Sequence, residues 1–203
     1  MLDKITNGLF TFLYPSAVKK IKCSELSLFL TFDDGPTPEV TSQVLKILAA
    51  YNAKATFFCL GKQVEAHPGL FKSIVEQGHA VGIHGYLHIS GISITKSAFA
   101  ENIEQCNRLI SSDLVRPPYG RMTLSQYLWL IKRYKLVLWD VMAYDFKKEI
   151  SVDTVVANVC NNVRNGSIIV LHDTERTKDI LVSALPIMLD KLKGYSFKKI
   201  DTF

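Results

Sequence analysis

The stretch Leu28-Phe29-Leu30-Thr31-Phe32-Asp33-Asp34-Gly35 indicates the fold class, because an apolar run of strand length ends abruptly in two adjacent carboxylates. Neighbouring carboxylates repel each other, and each loses hydration free energy beside an apolar core. A cation is therefore expected next to them, either a metal ion or an arginine side chain. The simpler alternative is an Asp-Gly turn at a strand end, which is common in folded proteins.

Four later apolar segments also end in a residue with acid–base or charge chemistry. These residues are His84, Arg116, Asp140 and His172. Helical patterns separate the segments, so we predict a parallel sheet whose strand C-termini all lie on one face. The pattern predicts an α/β fold, a distorted seven-stranded (β/α) barrel of the TIM-like type. In such barrels the reactive residues lie at the carboxyl ends of several strands.

The apolar periodicity places seven strands and six helices along the chain. The predicted strands are 26–33, 54–59, 80–84, 114–116, 136–140, 167–172 and 197–200. The predicted helices are 38–51, 68–77, 97–111, 123–134, 152–163 and 180–193. Ser97, Thr123 and Ser151 are the expected N-caps of the third, fourth and fifth helices.

The chain has 203 residues, enough for one domain with a sizeable core. We expect a single catalytic domain over 26–203 and an N-terminal segment, 1–25, that packs across the bottom of the barrel. The apolar run at 8–14 is too short to span a bilayer and makes a poor secretory signal. No transmembrane segment is therefore expected. The chain is expected in the cytoplasm, with association with the cell envelope as the alternative.

The net charge of +5 comes from dispersed lysines rather than from a basic run with interleaved aromatics. That pattern argues against a nucleic-acid partner. The four cysteines form no C-x-x-C pair, so free thiols are expected. The sequence makes no prediction about the oligomeric state.

His84 and His88 have the i, i+4 spacing that lets two imidazoles share one cation. With one aspartate they make three protein ligands, which leaves a position open for water and substrate. This set is typical of a catalytic zinc ion or a similar divalent metal. The second aspartate is then free to act as a general base. Spacing alone does not say which aspartate has which task.

Three further residues have candidate roles in the chemistry. Arg116 is expected to pair with one of the aspartates and to keep it ionised, or else to be a surface arginine before a Pro-Pro turn. The rigid Pro117-Pro118 backbone would make the Tyr119 amide a fixed oxyanion donor. His172 is the natural general acid for a leaving amine or alkoxide, although a lone histidine is more often structural.

These motifs in this order resemble the polysaccharide deacetylase family, the NodB-homology domain of carbohydrate esterase family four. The likeness runs from about Leu28 to the C-terminus, and it implies a distorted seven-stranded barrel and metal-dependent removal of acetyl groups from carbohydrate. It implies these roles: Asp33 as base, Asp34, His84 and His88 as metal ligands, Arg116 as the partner of Asp33, the Tyr119 amide as oxyanion donor, His172 as acid, and Pro118, Tyr119, Phe146 and Leu171 as substrate contacts.

The sequence departs from the family pattern at three positions. Gly85 stands where a Ser or Thr hydroxyl usually helps to hold the second metal histidine, so that support is expected from elsewhere. Met142 stands where an aspartate usually tunes the acid histidine, which leaves Asp140 and Asp145 as candidate replacements. Phe146 stands where a tryptophan usually lines the acetyl pocket.

The leading hypothesis is a hydrolase that removes acetyl groups from an N-acetylated carbohydrate, with an N-acetylglucosamine polymer such as peptidoglycan or chitin as substrate. Its expected cofactor is a divalent metal, Zn²⁺ before other ions. Two alternatives stay open. One is a catalytically weak or silent carbohydrate-binding barrel, suggested by Met142, and the other is an esterase for O-acetyl sugars.

Overall fold

A curled parallel sheet forms the centre of the computed structural model, which describes residues 13–200. Within that range the strands are β1 (Ser27–Asp33), β2 (Ala55–Cys59), β3 (Ala80–Ile83), β4 (Leu114–Val115), β5 (Lys135–Leu136), β6 (Val141–Met142), β7 (Ile168–His172) and β8 (Ser196–Phe197). The helices of the same range are α1 (Pro38–Ala50), α2 (Gly61–Ala66), α3 (Pro68–Glu76), α4 (Lys96–Ile110), α5 (Leu124–Leu130), α6 (Val152–Cys160) and α7 (Lys178–Lys191).

The strands follow the order β5-β4-β3-β2-β1-β7-β6, and every named pair is parallel. β8 pairs with the first two residues of β1. The sheet curls into an incomplete barrel, so the predicted distorted seven-stranded (β/α) barrel is confirmed. All strand C-termini lie on one face, which brings together the polar residues that follow them.

Two local features differ from the sequence prediction. Of the strand predicted at 136–140, only Leu136 lies in a named strand, as the last residue of β5. The next four residues connect β5 to β6, which lies at the opposite end of the sheet. The short helix α2 was not predicted, since six residues are too few to show a helical period.

The central strands of the sheet are buried along their whole length. All seven residues of β1 and all five of β2 are buried, which is typical of parallel strands covered on both faces. Helix α1 packs a stripe of Val40, Val44 and Leu48 against this core. The side chains that follow β1 therefore project from a fixed backbone.

Two of the predicted caps are correct and one is wrong. The side chains of Thr123 and Ser151 accept from the backbone N–H groups at the starts of α5 and α6. At α4 the cap is Thr95 and not Ser97, because the Thr95 hydroxyl accepts from the Ala98 N–H at 3.2 Å.

The chain before β1 contacts the barrel at several points. The Tyr14 hydroxyl donates to the Met122 carbonyl at 2.7 Å, Val18 bridges to Val137 just after β5, and Lys20 bridges to Ser167 just before β7. Of the segment predicted at 1–25, residues 1–12 lie outside the described range. None of the helices between residues 13 and 200 has the length and apolar character needed to cross a bilayer.

Candidate active site

Asp34, His84 and His88 form a cluster of donor atoms on the carboxyl-end face of the sheet. Asp34 Oδ1 lies 3.4 Å from His84 Nε2 and 3.3 Å from His88 Nε2. One ligand atom from each residue lies within 4.8 Å of the other two. Two donors bound to one tetrahedral zinc at about 2.0–2.1 Å would be separated by about 3.3 Å. The cluster therefore has the spacing of a metal site.

The backbone explains how Asp34 reaches this position. Strand β1 ends at Asp33, and Asp34 adopts a left-handed φ of 84°, which turns the chain out of the strand. Gly35 follows because a Cβ there would lie 2.2 Å from the carboxylate of Asp173. Asp34 Oδ1 is buried and has no hydrogen-bond partner in the described chain. A bound cation would compensate this oxygen.

The local electrostatics favour the protonation states that bind a metal. Burial raises the pKa of Asp34, but the two imidazoles beside it, His84 before His88, outweigh that effect and bring the pKa to about 2. Burial, followed by the charge of His84, lowers the pKa of His88. At neutral pH the site therefore presents a carboxylate and a neutral imidazole at these two positions.

Arg116 is the cation beside the other aspartate. Its Nη1 donates to Asp33 Oδ1 at 2.7 Å and also lies 2.7 Å from Thr31 Oγ1. Its Nε and Nη2 donate to the carbonyls of Val137 and Leu138 at 3.2 and 2.9 Å. Arg116 is fully buried, so the alternative of a surface arginine is wrong.

The surroundings of Arg116 stabilise its charge. The guanidinium lies 4.1 Å from the centroid of the Phe58 ring. Burial lowers the pKa of Arg116, and the charge and hydrogen bond of Asp33 oppose that shift. Thr31, the second acceptor, was not singled out from the sequence, because in a strand pattern it is one more β-branched residue.

His172 is held by Asp145. His172 Nδ1 lies 2.8 Å from Asp145 Oδ1, and the His172 backbone N–H donates to Asp145 Oδ2 at 2.7 Å. Burial lowers the pKa of His172, but the hydrogen bond and charge of Asp145 outweigh it and raise the pKa to about 9. The imidazole is therefore protonated at neutral pH.

Asp140 is not near His172, which corrects one of the two candidates for its partner. Asp140 accepts from Ser167 Oγ at 2.9 Å and from the Ile168 N–H at 2.8 Å, at the beginning of β7. His172 ends the same strand, several residues away. Asp145 reaches His172 because Tyr144 takes a left-handed φ of 60° and turns the chain after β6.

Tyr119 lies beside the histidine cluster. Its backbone has a φ of 60°, in a tight turn closed by the bond from Gly120 N–H to the Pro117 carbonyl at 2.9 Å. The residue is 56% exposed, and its ring meets the His88 ring edge-on with the centroids 4.6 Å apart. Pro118 is buried in the turn, so it shapes the backbone and offers no surface to a substrate, which corrects that prediction.

Phe146 and Leu171, both predicted substrate contacts, have different surroundings. The Phe146 ring is partly exposed and meets the His172 ring edge-on at 5.1 Å. Leu171 has no exposed surface and packs in the core of β7, so its assignment as a substrate contact is wrong. Successive strand residues point to opposite faces, and Leu171 therefore points away from the face that His172 occupies.

Two further supporting residues, Asp173 and Asn102, were also not among the predicted site residues. Asp173 accepts from the Gly35 N–H at 3.1 Å and from the Thr41 hydroxyl, which ties the turn after β1 to helix α1. Burial raises the pKa of Asp173 to about 8. Asn102, on α4, bonds to the loop between the two histidines. Asp173 directly follows His172 in a motif, whereas nothing in the sequence pattern marked Asn102.

Fold and site together define a (β/α)-barrel protein with a candidate metal centre at its strand ends. The sequence profile described as polysaccharide deacetylase matches residues 20–137. A peptidoglycan-N-acetylglucosamine deacetylase of Bacillus cereus is 36% identical over 180 residues, which cover 83% of this chain and 64% of that protein. A second Bacillus cereus protein of the same description is 32% identical over 188 residues and is covered to 88%. The chain belongs to the polysaccharide deacetylase family.

A solved structure gives the same family likeness in three dimensions. The Bc1960 peptidoglycan N-acetylglucosamine deacetylase superposes with a TM-score of 0.86 at 31% identity, over 94% of this chain and 93% of that chain. The chain spans less than two thirds of the first curated relatives it matches, 64% of the first Bacillus cereus protein and 41% of the Listeria monocytogenes deacetylase PgdA.

Proposed function

We propose that this chain removes the acetyl group from N-acetylglucosamine units of peptidoglycan, with a divalent metal, Zn²⁺, as cofactor. The observation that carries the proposal is the position of two hydrogen-bonded pairs beside the candidate metal ligands. These pairs are Asp33 with Arg116 and His172 with Asp145. Asp33 and His172 are register partners on neighbouring strands, and Asp34 follows directly. The peptidoglycan substrate is supported by the two Bacillus cereus relatives, both peptidoglycan-N-acetylglucosamine deacetylases.

Asp34, His84 and His88 would hold the metal, and the structure fits it on two observations. Their donor spacing matches a tetrahedral ion, and Asp34 Oδ1 is buried with no hydrogen-bond partner in the described chain. When bound, a divalent ion polarises a carbonyl oxygen and lowers the pKa of a coordinated water to about 7.

Asp33 acts as the general base in this proposal. Arg116 occupies its Oδ1, which leaves the other carboxylate oxygen to accept a proton from the attacking water. Because Arg116 is itself anchored to two backbone carbonyls, the carboxylate cannot rotate toward the histidines without breaking a buried ion pair. Asp33 is therefore kept for proton transfer and Asp34 for the metal.

His172 acts as the general acid. Its Nδ1 faces Asp145, so its Nε2 carries the proton that passes to the leaving nitrogen of the sugar. As water oxygen bonds to the acetyl carbon and the carbon–nitrogen bond breaks, Asp33 gains one proton and His172 gives one. The products are a free amine and acetic acid, which releases its proton to solvent at neutral pH and leaves as acetate.

Tyr119 and Phe146 border the acetyl group in this proposal. The Tyr119 amide is held in a tight turn and donates to the developing oxyanion. The exposed Tyr119 ring and the partly exposed Phe146 ring lie against His88 and His172, and they offer apolar faces to the sugar and its acetyl methyl.

The contact of Asp145 with His172 removes the reason for proposing a silent barrel. That alternative rested on Met142 standing where a carboxylate usually tunes the acid, and Asp145 now fills this role at 2.8 Å. An esterase for O-acetyl sugars would use the same machinery, so only a comparison of substrates separates it from the deacetylase.

The proposal is tested by acetate release from the zinc-loaded protein. We expect release from N-acetylated peptidoglycan fragments, and slower or no release from acetylated xylan. Asp33→Asn should abolish most of the release while leaving bound zinc unchanged. Equal rates for the wild type and Asp33→Asn would refute the proposed base, and faster release from the xylan would favour the esterase.

A further inference from the structure

The loop between His84 and His88, residues 85–87 and called here the histidine loop, is fixed through its backbone. The Gly85 carbonyl accepts from the Gly61 N–H at 2.9 Å. The Tyr86 carbonyl accepts from the Lys62 N–H at 3.1 Å. Both donors belong to the first turn of α2. One side of the histidine loop is therefore held by that helix.

Asn102 holds the other side of the histidine loop. Its Oδ1 accepts from the Leu87 N–H at 2.8 Å, and its Nδ2 donates to the Leu87 carbonyl at 3.0 Å. Its own backbone carbonyl accepts from the Tyr86 N–H at 2.9 Å. One residue of α4 thus satisfies both backbone groups of Leu87, which directly precedes His88.

Gly85 and Asn102 fit each other closely. Gly85 has a left-handed φ of 91°, and a Cβ there would lie 2.6 Å from Asn102 Nδ2 and 3.1 Å from the Leu87 carbonyl oxygen. A side chain at position 85 would therefore displace the amide of Asn102. Glycine at this position permits the approach of α4 to the loop.

The two histidines differ in how much they depend on this contact. His84 comes directly after β3, and its N–H donates to the Cys59 carbonyl at 2.9 Å, so the sheet sets its position. His88 lies beyond the histidine loop, and its side chain is 31% exposed. The position of His88 is thus set mainly by the loop.

We propose that Asn102 is a positioning residue that holds the histidine loop so that His88 reaches the cation shared with Asp34 and His84. This inference rests on the metal centre of the proposed function. Residues that orient a ligand without touching the metal can still change its affinity strongly. Asn102 acts through Leu87 and makes no contact with substrate.

The test is the zinc affinity of Asn102→Ala, measured by competition with a chromophoric chelator. We expect the affinity to fall by about tenfold or more. The matched control is Asn107→Ala on the same helix, because Asn107 Oδ1 also accepts from a backbone N–H, that of Ser112 at 2.9 Å, outside the histidine loop. The control should bind zinc as the wild type does.

Two further readouts separate positioning from a loss of folding. The melting temperatures of the zinc-free Asn102→Ala and Asn107→Ala proteins should be similar, while the rise on adding zinc should be smaller for Asn102→Ala. At saturating zinc the kcat of Asn102→Ala should return toward the wild-type value. Gly85→Ala should also weaken zinc binding, and the double variant should lose less affinity than the sum of the two single losses.

The outcomes distinguish this inference from the proposed function. Equal zinc affinity in the wild type, Asn102→Ala and Asn107→Ala would overturn the role of Asn102 and leave the metal centre intact. Strictly additive losses in the double variant would also overturn it. A wild type that binds no zinc would overturn the proposed metal centre and this inference together.

Discussion

The Asp33–Arg116 pair and the His172–Asp145 pair lie on neighbouring strands, yet they are buried differently. In the first pair the arginine side chain is 0% exposed and the aspartate 4%. In the second pair the aspartate side chain is 0% exposed, but the histidine side chain is 18% exposed. A fully buried arginine compensates the charge of a carboxylate beside it. A partly exposed histidine can exchange its proton with substrate and solvent.

In the proposed mechanism, this difference separates a base from an acid on one face of the sheet. In the proposed mechanism Asp33 accepts a proton, and it is paired with a guanidinium that stays protonated. His172 is paired with a carboxylate, so its imidazole stays ready to give one. Each of these two residues is thus held by one buried partner, Arg116 or Asp145. The following predictions test this division.

Asp33→Asn should have the largest effect on catalysis. Removal of a general base costs about 10²- to 10⁴-fold in rate, and zinc binding should persist because Asp34 and the histidines remain. Asp34→Asn should instead lose zinc affinity. The measurement is acetate release together with bound zinc by elemental analysis. The division between the aspartates is wrong if Asp33→Asn loses its zinc.

Arg116→Met should have the largest effect on stability. It leaves the buried Asp33 carboxylate without its partner, which costs about 3–5 kcal/mol of unfolding free energy. Urea unfolding measures this loss. The control is Arg108→Met, which breaks an exposed pair with Glu101 and should cost less than about 1 kcal/mol. Similar losses in the two variants would contradict the sealed pair.

Asp145→Asn should change the pH dependence of the step that uses His172 as the general acid. Asp145 raises the pKa of His172 to about 9, so the protonated acid is lost only as the pH rises through that value. Without this charge the pKa falls, and the alkaline limb of kcat should move to lower pH. The profile of Asp140→Asn should match the wild type, because Asp140 bonds at the other end of β7. An unmoved limb in Asp145→Asn would remove its tuning role.

Met142→Asp should have the smallest effect. Asp145 already binds His172 Nδ1, so a second carboxylate at position 142 would find that nitrogen occupied. We expect the alkaline limb of the kcat profile to stay in place. A clear shift of the limb to higher pH would mean that the wild-type histidine lacks a sufficient partner.

The residues around the proposed base could be predicted from the sequence because they directly follow recognisable strands. Asp33 and Asp34 end the buried run of β1, and Arg116 follows β4, so parallel topology alone brings them together. The burial of Arg116 was not predictable from two strand residues. It depends on acceptors at Thr31, Val137 and Leu138, which come from other parts of the chain.

For the proposed acid, His172 itself was predictable from the sequence, but its partner was not. Two aspartates, Asp140 and Asp145, follow the same apolar segment, and the choice between them depends on a left-handed turn at Tyr144. A non-glycine residue gives no sequence signal for such a turn. The role of Asn102 could not be predicted either. Its side-chain amide bonds to backbone groups of a loop, and every residue type except proline has both of these groups.

The decisive measurement is a crystal structure of the zinc-loaded protein with the ion located by its anomalous scattering. The division of roles predicts one zinc ion bound by Asp34, His84 Nε2 and His88 Nε2, with Asp33 still paired to Arg116 and His172 still paired to Asp145. A zinc ion bound by Asp33, or by His172, would contradict it.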